Sequence, residues 1–218
     1  LALAITAAVD DIHHQEMIHK DLNPANIIWN PDTGQIKLID FGIATKLSRE
    51  MPVLVNPTML EGTLAYMSPE QTGRMNRGVD YRTDFYSLGV TFYVLLTGQR
   101  PFESRDPLEL VHAHIAKTPV APSELNADIP RAISDMVLKL MAKTAEDRYQ
   151  SAFGVKADLQ TCLDEYATNR QVTYFAVGHQ DVPSTFQVTQ KLYGRETEIE
   201  QLLDAFEYGA PPHGGIAP

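Results

Sequence analysis

Residues 81–96 are apolar on nearly all sides, and this stretch constrains the fold of the chain more than any other. With a period of 3.6 it reads as a helix without a polar face, which is stable only when other elements wrap it. Gly98 stands just past its end, where helices commonly close in a left-handed residue. The remaining chain has to supply the wrapping. Leu1, Ile5, Ala8, Val9 and Ile12 recur at three- and four-residue spacings and predict an amphipathic helix. Asp106-Pro107 predicts the cap and first turn of a second, which carries Leu108, Val111 and Ile115. Ile133, Met136, Val137, Leu140 and Met141 predict a third, and Ser151 opens a fourth with Val155, Leu159, Cys162 and Tyr166.

Two short runs break this helical pattern. Ile27-Ile28-Trp29 and Ile36-Lys37-Leu38-Ile39 favour strands, and Asn30-Pro31-Asp32-Thr33-Gly34 between them is rich in turn formers. The fold class expected is therefore mainly α with a small β-hairpin. Polar residues flank the hairpin, 21–26 before it and Asp40 after it, so it brings two separate loops to one edge. That edge is where chemistry can sit. Residues 43–79 show no sustained period and hold Met51-Pro52, Asn56-Pro57, Gly62, Ser68-Pro69 and Gly73. A loop of that length inside a compact domain is usually functional.

Composition narrows the classes further. The 218 residues are 44% hydrophobic and 21% charged, enough to bury a substantial core. A net charge of −10 argues against a nucleic-acid or anionic-lipid partner. Cys162 is the one cysteine, which excludes an intrachain disulfide or a cysteine-built metal site and favours a cytoplasmic setting. Its expected place is the core. The longest apolar run, 88–96, is about half the ~20 residues a membrane span needs, so no membrane segment is expected. The first helix reads as cut at its start, and the tail from Ala210 holds breaker residues without a core pattern, so both ends read as truncations. His13-His14 is expected as a solvated helix end, with His112 and His114 on the surface.

Ile18-His19-Lys20-Asp21-Leu22-Asn23-Pro24-Ala25-Asn26 resembles the catalytic loop of protein kinases, and Asp40-Phe41-Gly42 resembles their magnesium-binding triplet. Gly62-Thr63-Leu64-Ala65-Tyr66-Met67-Ser68-Pro69-Glu70 resembles the substrate-binding loop of the same family, with Ser68 in place of the usual Ala. Asp84-Phe85-Tyr86-Ser87-Leu88-Gly89 is similar to the start of the family's buried central helix, and Asp147-Arg148-Tyr149 to a late Arg motif. Five ordered matches make coincidence untenable. The resemblance covers 1–166 and implies a kinase C-terminal lobe, one part of an α+β two-lobe fold, without its N-terminal lobe.

The resemblance implies roles residue by residue. Asp21 is the catalytic base, while Asn26 and Asp40 present oxygens to Mg²⁺ beside the phosphates of ATP. Thr63 and Glu70 belong to the substrate loop, and Thr63 favours a protein Ser/Thr acceptor. Structural roles fall to His19 packing on Phe41, to Gly42 at the turn, to Asp84 accepting backbone N–H bonds near the catalytic loop, and to Arg148 pairing with Glu70. Two departures matter. Lys20 replaces the usual Arg and cannot grip a phosphate bidentately. Asn23 replaces the Lys usual in Ser/Thr kinases and brings no charge to the transferred group. Thr45, Ser48 and Thr58 are candidate phosphosites that Lys20 could read.

The function implied is Ser/Thr protein phosphorylation with ATP and Mg²⁺, and this piece alone is expected to be inactive. The alternative is a pseudokinase or docking module, and a small-molecule kinase is a distant third because it would lack the 63–70 segment. Residues 167–190 read as a linker and 191–218 as the truncated start of a second domain. There, Leu192-Tyr193-Gly194-Arg195-Glu196 and the helical pattern after it resemble the opening of signalling ATPase domains. The whole looks like part of a bacterial signalling protein that fuses kinase, ATPase and sensor histidine kinase domains.

Overall fold

A computed structural model describes residues 1–46, 63–75 and 77–182. Its central element is helix α2, Arg82–Thr97, whose first twelve residues are all buried. The helix closes at Gly98, which takes φ 72° and donates its N–H to the Val94 carbonyl at 2.8 Å. Gly89 is needed for a different reason. A Cβ there would lie 2.7 Å from Leu140 Cβ and 2.9 Å from Met141 Cγ, so only glycine lets α5 (Arg131–Leu140) close onto α2.

Around α2 the described elements follow in order. They are α1 (Ala2–His14), β1 (Met17–Ile18), β2 (Ile27–Trp29), β3 (Ile36–Leu38), β4 (Thr45–Lys46), α3 (Pro107–Ala116), α4 (Pro122–Leu125) and α6 (Ala152–Asn169). Asp106 caps α3 by accepting from Leu108 N at 2.9 Å, and Ser151 caps α6 by accepting from Gly154 N at 3.0 Å. The core runs from Ile5 and Val9 of α1 through Phe85, Leu88 and Val90 of α2 to Leu140, Tyr149 and Val155. Cys162 is buried in a smaller cluster with Ala132 and Met136.

The hairpin forms as expected, with Ile27 opposite Leu38, Ile28 opposite Lys37 and Trp29 opposite Ile36. Gly34 at φ 69° closes its turn. A second antiparallel pair was not foreseen: β1 meets β4, Ile18 opposite Thr45 and Met17 opposite Lys46. The chain thus leaves Ile18, makes the hairpin, and returns beside its starting point. Both loops at the hairpin edge are held between these two pairings.

Two histidine assignments are corrected. His114 is 1% exposed, because it shares the inward stripe of α3 with Leu110 and Ala113 and finds the Tyr86 hydroxyl 2.9 Å from its Nδ1. Its Nε2 makes no hydrogen bond of good geometry, and the Ala65 backbone opposes the resulting penalty only weakly. His13 is not solvated either, since its ring packs edge-on against Tyr81 and Phe85 and its Nε2 lies 2.8 Å from Asp84 Oδ2.

The segment expected as a linker from Ala167 also differs over its described part. Helix α6 continues to Asn169, and Val172, Phe175 and Val177 then pack on the Ala132, Met136 and Cys162 cluster. Gly178 donates its N–H to Asp158 Oδ2 at 2.6 Å. Asp181 accepts from Gln150 N at 2.6 Å and from Ser151 Oγ at 2.8 Å. Residues 170–182 are a strap laid along α6. Residues 183–218, including the expected second domain, lie outside the described residues.

Burial, and then the nearby Lys143 charge, push the His114 pKa from 6.5 down to about 4. The unfolded chain therefore binds more protons between these values, and stability falls as pH drops from 6.5 toward 4. At pH 5 the loss from this residue is about 2 kcal/mol. Urea unfolding at pH 7 and pH 5 should show a loss of that size for the native sequence, and a clearly smaller one for His114→Leu.

Candidate functional site

The catalytic-loop segment leaves β1 at His19, whose backbone N–H donates to Asp84 Oδ2 at 2.9 Å. Lys20 N donates to Asp84 Oδ1 at 2.8 Å. With His13 on Oδ2, the fully buried Asp84 carboxylate receives three hydrogen bonds from two elements. This anchoring fits the need of a desolvated carboxylate for donors. Lys20 adopts φ 69°, a left-handed conformation uncommon for a residue with a Cβ.

Asp21 follows, half-buried, with its carboxylate held at both oxygens. Asn23 Nδ2 donates to Oδ1 at 3.0 Å and Asn26 Nδ2 donates to Oδ2 at 3.0 Å. The same two amides reach the Asp21 backbone carbonyl at 3.1 and 2.9 Å. Asn23 in turn caps the short 3-10 turn Pro24–Asn26 by accepting from Ala25 N. The two asparagines thus fix the carboxylate's direction, and neither carries charge.

The other loop enters through the hairpin. Ile39 N donates to the Asn26 carbonyl at 3.0 Å, so Asp40 follows directly on a residue tied to the catalytic loop. His19 Nε2 lies 3.0 Å from the Ile39 carbonyl, and its ring is 4.7 Å from that of Phe41. Asp40 is exposed at φ 61°, and its Oδ1 accepts from Gly42 N at 3.2 Å. A Cβ on residue 42 would stand 3.1 Å from that oxygen and press the carboxylate aside.

Asn26 and Asp40 therefore offer an amide and a carboxylate oxygen, both hard donors, at one hairpin edge. Among the described residues no group of three or more His, Cys, Asp and Glu could hold a metal. Such a sparse donor set suits Mg²⁺, which keeps waters and substrate phosphates as its remaining ligands.

Below this edge lies the 63–75 segment. The Glu70 carboxylate is clamped bidentately by Arg148, with Nη1 to Oε1 at 2.6 Å and Nη2 to Oε2 at 2.8 Å, and the two side chains are 2% and 0% exposed. Thr83 Oγ1 also donates to Glu70 at 2.8 Å. Burial alone would raise the Glu70 pKa, and the Arg148 and Thr83 bonds outweigh it and hold it below 4.5. Arg148 further donates to the Ala142, Lys143 and Arg82 carbonyls. Thr63 opens a 3-10 turn, Thr63–Tyr66, but its side chain, like Ser48 and Thr58, lies outside what is described. Thr45 sits in the β4 pairing.

Residues 1–161 match the family model described as "Protein kinase domain". The chain belongs to the protein kinase domain family. Among curated relatives, "Serine/threonine-protein kinase PknB" of Mycolicibacterium smegmatis is 38% identical over 152 residues, which is 70% of this chain and 24% of that protein. "Probable serine/threonine-protein kinase CE0033" of Corynebacterium efficiens is 36% identical over 196 residues, 88% of this chain and 29% of the relative. "Hybrid signal transduction histidine kinase G" of Dictyostelium discoideum is 39% identical over 161 residues, 65% of this chain and 5% of the relative. The chain thus spans less than a third of the length of each.

Within this kinase domain, sequence reasoning missed His13, Thr83 and Gln71. A histidine near the end of α1 gives no sign that it meets Asp84, 71 positions away. Gln71 does carry a local signal: Ser68-Pro69-Glu70-Gln71 fits a helix capping box, in which a Gln side chain returns to the backbone N–H three residues earlier. Ser68 N indeed donates to Gln71 Oε1 at 3.0 Å.

Removing one member of a buried, bidentate pair leaves the other charge desolvated and costs about 3–5 kcal/mol. Denaturant unfolding of Glu70→Gln and Arg148→Met should each show a loss of that order. The double variant should lose less than the sum, because the second change removes a charge already stranded. Strictly additive losses would contradict the coupling.

Proposed function

We propose that this chain forms the C-terminal lobe of a Ser/Thr protein kinase that uses ATP and Mg²⁺ to phosphorylate a protein hydroxyl. The observation that carries the reading is the Asp21 carboxylate, held at both oxygens beside the strand end that delivers Asp40. The names of the PknB and CE0033 relatives support Ser/Thr specificity. That these residues sit in a longer, multidomain polypeptide in the cytoplasm is part of the same proposal, and the hybrid histidine kinase relative supports its multidomain aspect. No described helix is long and apolar enough to cross a membrane.

Asp21 orients the acceptor hydroxyl and takes its proton. The hydroxyl oxygen bonds to the γ-phosphorus, the bond from that phosphorus to the β–γ bridging oxygen breaks, and ADP leaves. Asn26 and Asp40 would hold Mg²⁺, which when bound neutralises phosphate charge. Asn23 keeps Asp21 in direction, so its contribution is positional and brings no positive charge to the phosphoryl group. Gly42 keeps the space in which the Asp40 carboxylate lies.

In the full-length protein, Asp21→Asn and Asp40→Asn should each lower kcat by about 100-fold or more, and steady-state assays on a Ser/Thr peptide check this. Near-normal turnover in either variant would overturn the catalytic assignment, whereas no turnover in the native full-length protein would favour a docking module. The 218-residue chain alone carries no Gly-rich phosphate loop and should not phosphorylate the same peptide, which a radiolabelled ATP assay reads directly.

A further inference from the structure

Gln71 does more than its capping-box pattern requires. Its Oε1 accepts from Ser68 N at 3.0 Å, and Gln71 N donates back to the Ser68 carbonyl at 3.1 Å, which completes the local turn. The other end of the same amide leaves the turn: Nε2 donates to the Lys20 carbonyl at 2.8 Å, across 51 residues of sequence. Gln71 is 8% exposed, with the bond to Ser68 buried and the bond to Lys20 partly buried.

The bond to Lys20 falls at a sensitive point. Lys20 is left-handed, and its N–H is already fixed by Asp84 Oδ1 at 2.8 Å. Its carbonyl belongs to the peptide that leads into Asp21, and the N–H of that peptide reaches His19 Nδ1 at only 3.3 Å. Of these two bonds on the Lys20–Asp21 peptide, the one from Gln71 is the shorter. Neighbouring Glu70 faces the other way, into Arg148 and Thr83. Successive residues of one short turn thus tie the helical core to the substrate loop, and the substrate loop to the peptide that aims the base.

We propose that Gln71 is a positioning residue for Asp21: by holding the Lys20 carbonyl it sets the direction of the base and keeps the acceptor-binding loop in register with it. This rests on the kinase reading above. Glutamate is an informative replacement, because it keeps the capping-box acceptor and turns the donor to Lys20 into a carboxylate oxygen that repels that carbonyl.

The test compares Gln71→Glu and Gln71→Met with the native full-length protein. In Gln71→Glu, kcat per folded molecule should fall about tenfold or more with KM for ATP unchanged, since a small misaim of a catalytic group has effects of that size. Backbone amide exchange across residues 19–23 should speed up about tenfold in the same variant while exchange in α2 stays as it was. Gln71→Met should lose stability as well as kcat. A native kcat in Gln71→Glu overturns the proposal, as does a kcat loss that merely follows a loss of folded protein. If the native protein transfers no phosphate, the kinase reading fails separately, and the exchange measurement then decides alone whether Gln71 holds the Lys20 peptide, with unchanged exchange overturning it.

Discussion

A carboxylate taken wholly out of water at the start of a central helix has to find donors, and Asp84 finds them in the two peptides that precede the base and in a histidine from α1. The rest of the site depends on that requirement. Without it, the backbone at His19 and Lys20 has no reason to leave β1 in the left-handed turn that presents Asp21. With it, the loop's geometry is referenced to α2, whose first twelve residues are buried. Moving a loop of this kind relative to its helix would strand a charge, a cost of several kcal/mol. The catalytic loop is therefore tied directly to the core beneath it.

The second loop of the site is held by different means. Asp40 takes its place from the β2–β3 ladder and from the Ile39–Asn26 backbone bond. One acidic group is thus set in a fixed frame, while the other stands exposed at the end of a strand. Under the proposed kinase function, that division suits a base that must keep one direction and a metal ligand that must adjust as phosphate oxygens arrive.

Helices with sustained periodicity and the hairpin with its turn formers were legible in the sequence, because each is set by local pattern. So was the Glu70–Arg148 contact, through resemblance and not through any local signal. His114 and His13 were misread for one reason: whether a histidine on a helix is wet or buried depends on a partner from another element, here Tyr86 and Asp84. Residues 170–182 leave little trace in the sequence because Val172, Phe175 and Val177 make no run of strand or helix period, and because Gly178 is held by Asp158 on α6 and Asp181 by Gln150 N and the α6 cap Ser151. The β1–β4 pairing, only two residues in each strand, is too short to leave a pattern.

The strap also determines where mechanical load enters the molecule. The family match ends at residue 161, inside α6, whereas the chain is anchored until Asp181. A load arriving at residue 182 from the C-terminal side would meet two short hydrogen bonds on Gln150 and Ser151, two and three residues along the chain from Arg148. Gln150 is also bonded by Arg82 Nη1 at 2.7 Å, and it caps the Tyr81 hydroxyl through its own carbonyl at 2.8 Å. Tension on the C-terminal side is thereby delivered to the root of α2 and to the residue that clamps Glu70, far from the hairpin edge but one step from what holds the substrate loop.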